Sequence, residues 1–456
     1  MSTQTNGKPT RRANPNAHAH CATRALSNSA ITEAALKILY ISQYYPPESN
    51  APAARVSELS ERWANCGHHV TVLTGFPNHP DGVLRPEYRR QFRRLVFREA
   101  VNGVNVVRSW LLPLPSRKPW ERMLNCISFF VSASVTGPFL TRPDVIIASS
   151  PQLLVGLAGW WLSKLHRVPF VLEVRDLWPE SLAAVGAGSR NSALYCSVEK
   201  VAGFLYRKAD HIVVVTPAFR AHLIANWEVP SGKISVVANG VETQIFSPLR
   251  ESAALRRTLG GEGKFVVSFI GTVGLAHGLE TLVSAAEKFQ PAEPEILFLV
   301  VGNGADRKRI IELANAKGLA NIRFIEQQSR EKIPDYIAAS DVGLVLLKKS
   351  EVFETVIPTK MLEFMSCGRP IILGVKGQAQ EIISRAQAGI CIEPGDDAAL
   401  CEAVLRLRDG RHLETLGRNG RDYILRNFSR AHTASEYLEI LNELVGDAEP
   451  LQAAVA

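Results

Sequence analysis

The sequence predicts an α/β protein built from two Rossmann-like domains that face each other across a cleft. Short runs rich in Val, Ile, Leu and Phe alternate with helix-period segments through both halves of the chain. A chain of 456 residues is long enough for two domains, each with its own core. Strands that alternate with helices form parallel sheets covered on both faces, so ligands are expected at the carboxyl ends of the strands.

Composition narrows the class of protein. The apolar share of 46% and the charged share of 21% are those of a globular protein. The seven cysteines are scattered without C-x-x-C spacing, which argues against a zinc site or a disulfide framework and favours a reducing compartment. The net charge of +8 is not accompanied by a nucleic-acid recognition motif, so nucleic-acid binding is not predicted. Residues 1–35 are predicted to be a disordered tail that lacks the apolar segment of a signal peptide.

The first predicted domain, residues 36–230, opens with a β-α-β unit. Lys37–Ile41 is a strand, a helix follows through Val56, Leu59 and Trp63, and residues 69–74 form the next strand. The loop after the first strand lies at its carboxyl end, where α/β sheets bind ligands. Further predicted strands are 104–108, 144–148, 170–174, 211–215 and 234–237.

Two stretches of this domain have the character of a membrane surface. Residues 123–140 carry no charge over eighteen positions, although Asn125, several hydroxyl groups and Gly137 make them a poor transmembrane helix. A basic cluster precedes them: Arg85, Arg89, Arg90, Arg93, Arg94 and Arg98. An interfacial helix beside an arginine patch would attract anionic lipid, and a core helix beside a solvated loop explains the same pattern.

A charged group follows the predicted strand 170–174. Glu173, Arg175 and Asp176 gather at its carboxyl end, next to Trp178. Such a group is typical of a site in a parallel sheet, and the alternative is a buried structural ion pair.

The second predicted domain, residues 231–425, follows a linker near residues 225–245. Its first strand, Phe265–Ile270, leads into a turn at Gly271–Gly274, and Gly302 closes the next strand. A lone G-x-G fits phosphate contact and a tight strand–helix turn equally well. Later predicted strands are 322–325, 342–347, 371–373 and 390–392.

The most informative stretch of this domain is residues 350–375. Pro358 suits the first turn of a helix and Gly368 suits its end, while Met361 falls on an apolar stripe between them. Free N–H groups, Lys360 and Glu363 in the first turns suit a phosphorylated ligand with hydroxyls: amides and Lys for phosphate, Glu for a vicinal diol. An ordinary amphipathic helix with solvated charges is the alternative.

Five motifs follow one another along the chain: Tyr44-Tyr45-Pro46-Pro47, Gly67-His68-His69-Val70, Arg175-Asp176-Leu177-Trp178-Pro179, Asn239-Gly240-Val241 and Pro358-Thr359-Lys360-x-x-Glu363. In this order they resemble glycosyltransferase family 4, and most of all its WcaI/WbuB-like branch of surface-polysaccharide enzymes. The resemblance covers about residues 36–445. It implies a GT-B fold, a nucleotide-sugar donor on the second domain, an acceptor on the first, and transfer with retention without a metal or cofactor. A last helix, 426–446, would cross back to the first domain before a tail, 447–456.

The resemblance also implies roles for residues on the donor side. Glu363 matches the second Glu of the family's E-x₇-E motif, which accepts hydrogen bonds from the donor ribose, and Thr355 stands at the first Glu. Thr359 and Lys360 lie where the diphosphate meets the helix. In the glycine-rich loop that begins at Gly271, Thr272 and His277 stand where the family has Arg and Lys, so two phosphate-binding cations are missing from their usual places. Gly302 and Lys348 complete the predicted donor-binding residues.

The diphosphate leaving group still needs positive charge as the glycosidic bond breaks. We predict that Lys360 and Arg175 supply it, Arg175 replacing a His that is common at that strand end. Asp176, Glu173 and Asn50 are predicted on the acceptor side. No catalytic base and no metal ligand are named, because the leaving phosphate oxygen itself can take the acceptor's proton.

The sequence thus predicts a transferase that moves a sugar to a carbohydrate acceptor, which the resemblance implies to be lipid-linked, at the cytoplasmic face of a membrane. Two alternatives remain: a nucleotide-sugar epimerase on the same architecture, and a non-catalytic partner subunit. The substitutions at Thr272, His277 and Thr355 keep the second one open. The donor sugar, the nucleotide, the acceptor, the linkage and the oligomeric state are not specified by the sequence.

Overall fold

The structure is a computed structural model that describes residues 35–48, 50–79, 82–115, 118–150, 152–181, 192–248 and 252–453. The predicted disordered tail, as far as residue 34, lies outside the described residues.

The first domain is built on a largely parallel sheet. Its strands are β1 Lys37–Ile41, β2 His69–Gly75, β3 Val96–Val101, β4 Val104–Ser109, β5 Val145–Ser149, β6 Phe170–Val174, β7 His211–Val214 and β8 Ile234–Val236. In the described part of the chain they lie in the order β3-β4-β2-β1-β5-β6-β7-β8, with only β3 antiparallel to its neighbour. The antiparallel edge strand β3 was not predicted, and it carries Arg98 of the basic cluster. Because β8 pairs with β7, this domain also extends past the predicted boundary at residue 230.

Helices cover both faces of this sheet. They are α1 Ala51–Asn65, α2 Arg89–Phe92, α3 Pro119–Thr136, α4 Leu153–His166, α5 Ala193–Lys208 and α6 Pro217–Trp227. Every residue of β5 and β6 is buried, as expected for central strands with helices on both sides.

The second domain has a parallel sheet of its own. Its strands are β9 Phe265–Ile270, β10 Ile296–Val301, β11 Ile322–Ile325, β12 Val342–Leu346, β13 Ile371–Gly374 and β14 Gly389–Cys391. Their order is β11-β10-β9-β12-β13-β14. The helices are α7 Ala253–Thr258, α8 Glu280–Ala292, α9 Arg307–Ala316, α10 Ile333–Ala338, α11 Glu351–Glu354, α12 Thr359–Ser366, α13 Gln378–Ala386, α14 Asp397–Asp409 and α15 Leu413–Asn427. Two Rossmann-like sheets therefore confirm the predicted fold class.

The last helix, α16 Arg430–Ala453, returns to the first domain. The indole Nε1 of Trp63 donates to Ala434 O over 3.0 Å, and the Trp63 ring meets Tyr437 edge-on at 5.4 Å between centroids. The helix begins later than the predicted residue 426 and continues through much of the predicted tail, as far as Ala453.

Helix α3 carries apolar residues on its outer face as well as among its buried residues. Phe129 and Ala133 are buried against the sheet. On the outer face, six large apolar side chains are between 40% and 62% exposed: Trp120, Met123, Leu124, Ile127, Val131 and Val135. Among the described residues, no helix combines the length and the apolar content that crossing a bilayer requires.

Candidate active site

Helix α12 stands at the carboxyl edge of the second sheet and carries the predicted donor residues. Pro358 precedes its first residue, Thr359, and Gly368 follows its end with φ +69°. One face buries the apolar residues Met361, Leu362, Phe364 and Met365. Lys360 and Glu363 are intermediate in exposure, and the Glu363 side chain is 12% exposed. The predicted helix is therefore present. Met361 N donates to Pro358 O over 3.0 Å, and the N–H groups before it lie at a helix start, where the helix itself supplies no acceptors.

Lys360 forms no ion pair within the part of the chain that the structure describes, although the Glu363 charge acts on it. Its Nζ lies 3.6 Å from the centroid of the Phe269 ring, is buried, and has no hydrogen-bond partner in the described part of the chain. A Cβ atom on Gly271 would come within 3.4 Å of Nζ, which places the ammonium directly beneath the predicted glycine turn. Burial lowers the pKa of Lys360 to about 7, although Glu363 opposes this shift. Near neutral pH the Lys360 side chain is therefore partly a neutral amine, and an anion that binds beside it would favour the protonated, charged form.

The glycine turn is shaped by backbone packing. Gly302 has φ +142°, and a Cβ atom there would lie 2.0 Å from Gly271 O. Gly302 is therefore glycine because two strand ends approach each other, which favours the tight-turn alternative over the predicted donor contact. Gly271, with φ +137°, lies beside Lys360, so its predicted donor contact stays a prediction.

His277 is neutral rather than a replacement cation. Burial and the nearby Lys360 lower the pKa of His277 to about 3. Its ring stands edge-on to Phe269, at 5.4 Å between centroids, and Gly274 N donates to its Nδ1 over 3.2 Å. Thr272 is exposed on the same loop. The missing loop cations are thus not replaced within the loop, and Lys360 is the cation beneath it.

Glu363 is held by an arginine that the sequence analysis did not select. Arg330 Nη1 donates to Glu363 Oε1 over 2.9 Å, and Arg330 Nη2 donates to Glu58 Oε1 of the first domain over 2.6 Å. Glu58 Oε2 in turn accepts from Arg430 Nε over 2.8 Å. Neither Glu58 nor Arg330 has a local sequence signal, because each lies in a charged segment typical of a solvated surface.

The other predicted donor residues have different surroundings. The Thr355 hydroxyl donates to Val352 O over 2.6 Å, so it is satisfied within its own turn. The carbonyl of Thr355 accepts from Thr216 Oγ1 over 2.9 Å, across to the first domain. Lys348 is exposed, but its Cγ would be 3.3 Å from a Cβ on Gly278, so it borders the glycine loop.

The first domain places a second buried cation, Arg175, at the carboxyl edge of its sheet. Arg175 follows β6, and its Nε and Nη1 are buried without partners among the described residues. Strand β6 neighbours β7, after which Thr216 contacts the Thr355 turn, so the carboxyl edges of both sheets meet here. Burial raises the pKa of the adjacent Asp176 to about 6 against the influence of Arg175.

Glu173 is held within the scaffold, which favours the structural ion-pair alternative over the predicted acceptor-side role. Its Oε1 accepts from Arg55 Nε over 2.8 Å, and its Oε2 accepts from Tyr40 over 2.8 Å and from Ser149 over 2.6 Å. The side chain is fully buried. Burial would raise the pKa of Glu173, but Arg55 and Arg175 outweigh it and hold the pKa below its usual value. Both oxygens are occupied, so the structural ion pair is with Arg55.

Two residues of the loop after β1, Asn50 and Glu48, also lie at the carboxyl edge of the first sheet. Asn50 Oδ1 accepts from Ala53 N over 2.9 Å and so caps α1, while its Nδ2 is buried without a partner among the described residues. The predicted acceptor-side Asn50 therefore keeps one free donor. Glu48, which the sequence analysis missed, accepts from the amides of Asn78 and His79 over 3.0 and 2.9 Å. Burial raises the pKa of Glu48 to about 7.

These groups can bind a phosphorylated ligand with hydroxyls across the cleft. Lys360, the start of α12 and the glycine turn form the side facing an anion, and Glu363 can accept from a diol. In the described ranges, no group of three His, Cys, Asp or Glu side chains is placed to hold a metal ion.

Family models match both halves of the chain. A glycosyl transferase 4-like domain model matches residues 50–240, and a glycosyl transferases group 1 model matches residues 253–423. Among curated proteins, WcaI of Escherichia coli strain K12, which carries the name of a colanic acid biosynthesis glycosyl transferase, is 24% identical. The alignment covers 88% of this chain and 99% of WcaI.

Solved structures share the fold. Sucrose-phosphate synthase of Thermosynechococcus elongatus superposes with a TM-score of 0.70 at 22% identity, over 90% of this chain and 99% of that one. HepE of Anabaena, in complex with UDP and glucose, superposes with a TM-score of 0.67 at 18% identity, over 90% and 100%.

Proposed function

The chain belongs to glycosyltransferase family 4 and has its GT-B fold, and from that membership we propose that it is a retaining transferase acting on a nucleotide-sugar donor. The acceptor is a carbohydrate, and the product serves surface-polysaccharide assembly, as the name of WcaI suggests for that relative. The observation that carries the proposal is the buried ammonium of Lys360, without a partner among the described residues, beneath the glycine turn at the start of α12. An unpaired buried charge is costly, so an anionic ligand would compensate it.

In this proposal the donor diphosphate lies against the first N–H groups of α12, with Lys360 Nζ below it. The ribose hydroxyls donate to Glu363. Arg175 supports the same phosphates from the first domain, where its guanidinium has two buried N–H groups without partners among the described residues. Lys360 and Arg175 stabilise the charge that develops on the diphosphate as the bond to the sugar breaks.

Retention follows from the acceptor's approach on the face that the diphosphate leaves. The acceptor hydroxyl oxygen forms the new bond to the anomeric carbon, its proton passes to the departing phosphate oxygen, and the old bond gives its electron pair to that phosphate. The protein supplies position and electrostatics, so neither a protein base nor a metal ion is required.

Donor binding is the test of this proposal. With UDP-, GDP- and TDP-sugars as probes, the purified protein is expected to bind one nucleotide class and slowly release its nucleotide diphosphate in the presence of EDTA. Glu363→Ala is expected to weaken binding about tenfold or more, because the ribose loses its acceptor. Calorimetry measures the binding.

The matched control is Glu381→Ala on α13, which pairs with the exposed Arg385 and should bind as wild type. If no donor binds, the non-catalytic partner subunit becomes the better explanation, and the substitutions at Thr272 and Thr355 favour it.

We further propose that the acceptor is lipid-linked and that α3 lies on the inner face of the cell membrane. The exposed apolar side chains of α3 follow one another at helical spacing. All six arginines of the basic cluster are exposed, and Val83 and Leu95 are exposed among them, at 61% and 59%.

The basic cluster and α3 are linked by one short connection. Phe92 stacks on Trp110 at 6.2 Å between centroids. Two residues later, Leu112 O accepts from Asn125 Nδ2 of α3 over 2.8 Å. The apolar face of α3 can thus insert into the membrane interface beside the place where the basic cluster attracts anionic headgroups.

The double variant Ile127→Asp/Val131→Asp is expected to reduce binding to phosphatidylglycerol vesicles about tenfold or more, because two carboxylates would enter the apolar interface. Vesicle co-sedimentation measures it. Leu425→Asp on α15, where the leucine is 45% exposed in the second domain, is the control. Equal sedimentation of wild type and double variant would contradict membrane contact through α3.

A further inference from the structure

A chain of four alternating charges crosses from the first domain to the donor helix. It consists of Arg430, Glu58, Arg330 and Glu363, and we call it the ion chain. Glu58 lies on α1 of the first domain, Arg330 precedes α10, and Glu363 lies on α12. Their side chains are between 2% and 23% exposed. Pairs this buried are neither screened nor mobile in the way that surface ion pairs are.

Arg330 is fixed on three sides. Its Nε and Nη2 both donate to Glu58 Oε1, over 3.0 and 2.6 Å, and its Nη1 donates to Glu363 Oε1. Its guanidinium carbon lies 4.9 Å from the centroid of the Phe246 ring. A planar guanidinium held in this way has one orientation available to it.

This arrangement uses only one oxygen of Glu363. Oε1 accepts from Arg330, and Oε2 has no hydrogen-bond partner among the described residues. A carboxylate that is oriented at one oxygen and open at the other suits a hydroxyl-bearing ligand.

We propose that Arg330 is a positioning residue for the donor, which turns Glu363 Oε2 toward the ribose, and that Glu58 of the first domain fixes Arg330 in this role. The inference rests on the proposed function, since it assigns the ribose to Glu363. Its consequence is that donor affinity depends on a carboxylate that lies in the other domain and touches no part of the donor.

The ion chain also sets when Glu363 is ionised. Burial raises the pKa of Glu363, Arg330 and Lys360 lower it, and Glu58 raises it, with the net pKa above its usual value. Replacing Arg330 by Gln removes a lowering influence, so the pKa rises further. Donor binding needs the carboxylate, so affinity falls as the pH decreases, and that fall moves to higher pH in Arg330→Gln.

The experiment measures the dissociation constant of UDP, GDP or TDP, whichever the wild type binds, by calorimetry between pH 5 and pH 8. Glu58→Gln is expected to weaken binding on the order of tenfold, the size of a typical coupling between sites. The amide keeps an oxygen for the two arginines, and circular dichroism verifies that the variant is folded. Arg330→Lys is expected to weaken binding as well, because an ammonium lacks the fork that joins two carboxylates.

The control is Glu61→Gln on the same helix, since Glu61 hydrogen-bonds to Asn102 and, among the described residues, forms no ion pair with the ion chain; it should bind as wild type. If Glu58→Gln or Arg330→Lys binds as tightly as wild type, the inference is wrong while the proposed function stands. The same holds if Arg330→Gln shows an unmoved pH profile. If the wild type binds no nucleotide, the proposed function fails and the inference fails with it.

Discussion

Replacing Lys360 with methionine is expected to slow release of the nucleotide diphosphate from the donor by about 10²–10³-fold, the usual loss when one preorganised charge-stabilising donor is removed. Methionine keeps an unbranched stem over Phe269 and beneath Gly271, so the packing stays and only the ammonium is lost. The two positions of the glycine loop where the resemblance implies cations carry no charge here, because Thr272 is uncharged and burial with the nearby Lys360 lowers the pKa of His277 to about 3. Lys360 therefore carries a larger share of the phosphate charge than it would with loop cations present.

The pKa of Lys360 should also make donor binding depend on pH. Burial lowers the pKa of Lys360 to about 7 in the ligand-free protein. The diphosphate binds the protonated ammonium, so the contribution of Lys360 to affinity is lost as the pH rises through about 7, where binding must take up a proton, while protonation of Glu363 limits affinity on the acidic side. Calorimetry in two buffers of different ionisation enthalpy detects that proton. In Lys360→Met the weakening above pH 7 should disappear.

Lys308→Met is the matched control for these measurements. Lys308 lies on α9 of the same domain and its side chain is 89% exposed. Nucleotide release at the wild-type rate is expected from it. An unchanged rate in Lys360→Met would show that the buried ammonium has no catalytic role, and Arg175 would then be the next cation to replace.

Local chemistry explains what the sequence could predict of the donor site. Helix α12 carries Lys360 and Glu363 one turn apart. Pro358 at its start, Gly368 after its end and the apolar stripe between them specify the helix, and all of these lie within about ten residues. Such a helix can be predicted from the sequence because the residues that start it, end it and form its apolar face are close together along the chain.

The partners of these residues could not be predicted, because they come from remote parts of the chain. Arg330 and Glu58 are 272 positions apart, and each occurs in a polar segment without a motif. From the sequence alone, Gly302 fits a phosphate contact and a tight turn equally well, and only the structure shows that the carbonyl of Gly271 lies against it. Glu173 stands at a strand end beside Arg175, which is typical of a site, and only the fold shows that Arg55 reaches it from α1.

Arg55 gives the largest expected effect on stability. Replacing Arg55 with methionine should reduce the free energy of unfolding of the first domain by about 3–5 kcal/mol, because the Glu173 carboxylate is left buried without its cation. Arg55 is 1% exposed and also donates to Ala238 O over 2.9 Å and to Val237 O over 3.2 Å. Urea unfolding followed by circular dichroism measures the change.

A matched substitution on the same helix separates this effect from general damage to α1. Arg62 pairs with Glu242, and its side chain is 29% exposed. Arg62→Met should therefore cost less than about 1 kcal/mol, as partly solvated ion pairs do. The double variant Arg55→Met/Glu173→Gln should recover part of the lost stability, because it removes the uncompensated charge as well as its partner.

The pH dependence of the Arg55 variant shows whether Glu173 is scaffold or site. In the wild type Arg55 and Arg175 hold the pKa of Glu173 below its usual value against burial, so this carboxylate stabilises the fold at neutral pH and the contribution is lost as the pH falls. Without Arg55 the pKa rises, Glu173 takes up a proton, and the difference in stability between wild type and variant narrows toward acidic pH. A stability loss that stays constant with pH would contradict a role for the Glu173 charge. Asp176→Asn serves as the contrast. The described part of the chain shows no ion pair of Asp176, so the urea midpoint should stay near that of wild type, while transfer should be impaired if Asp176 faces the acceptor as predicted.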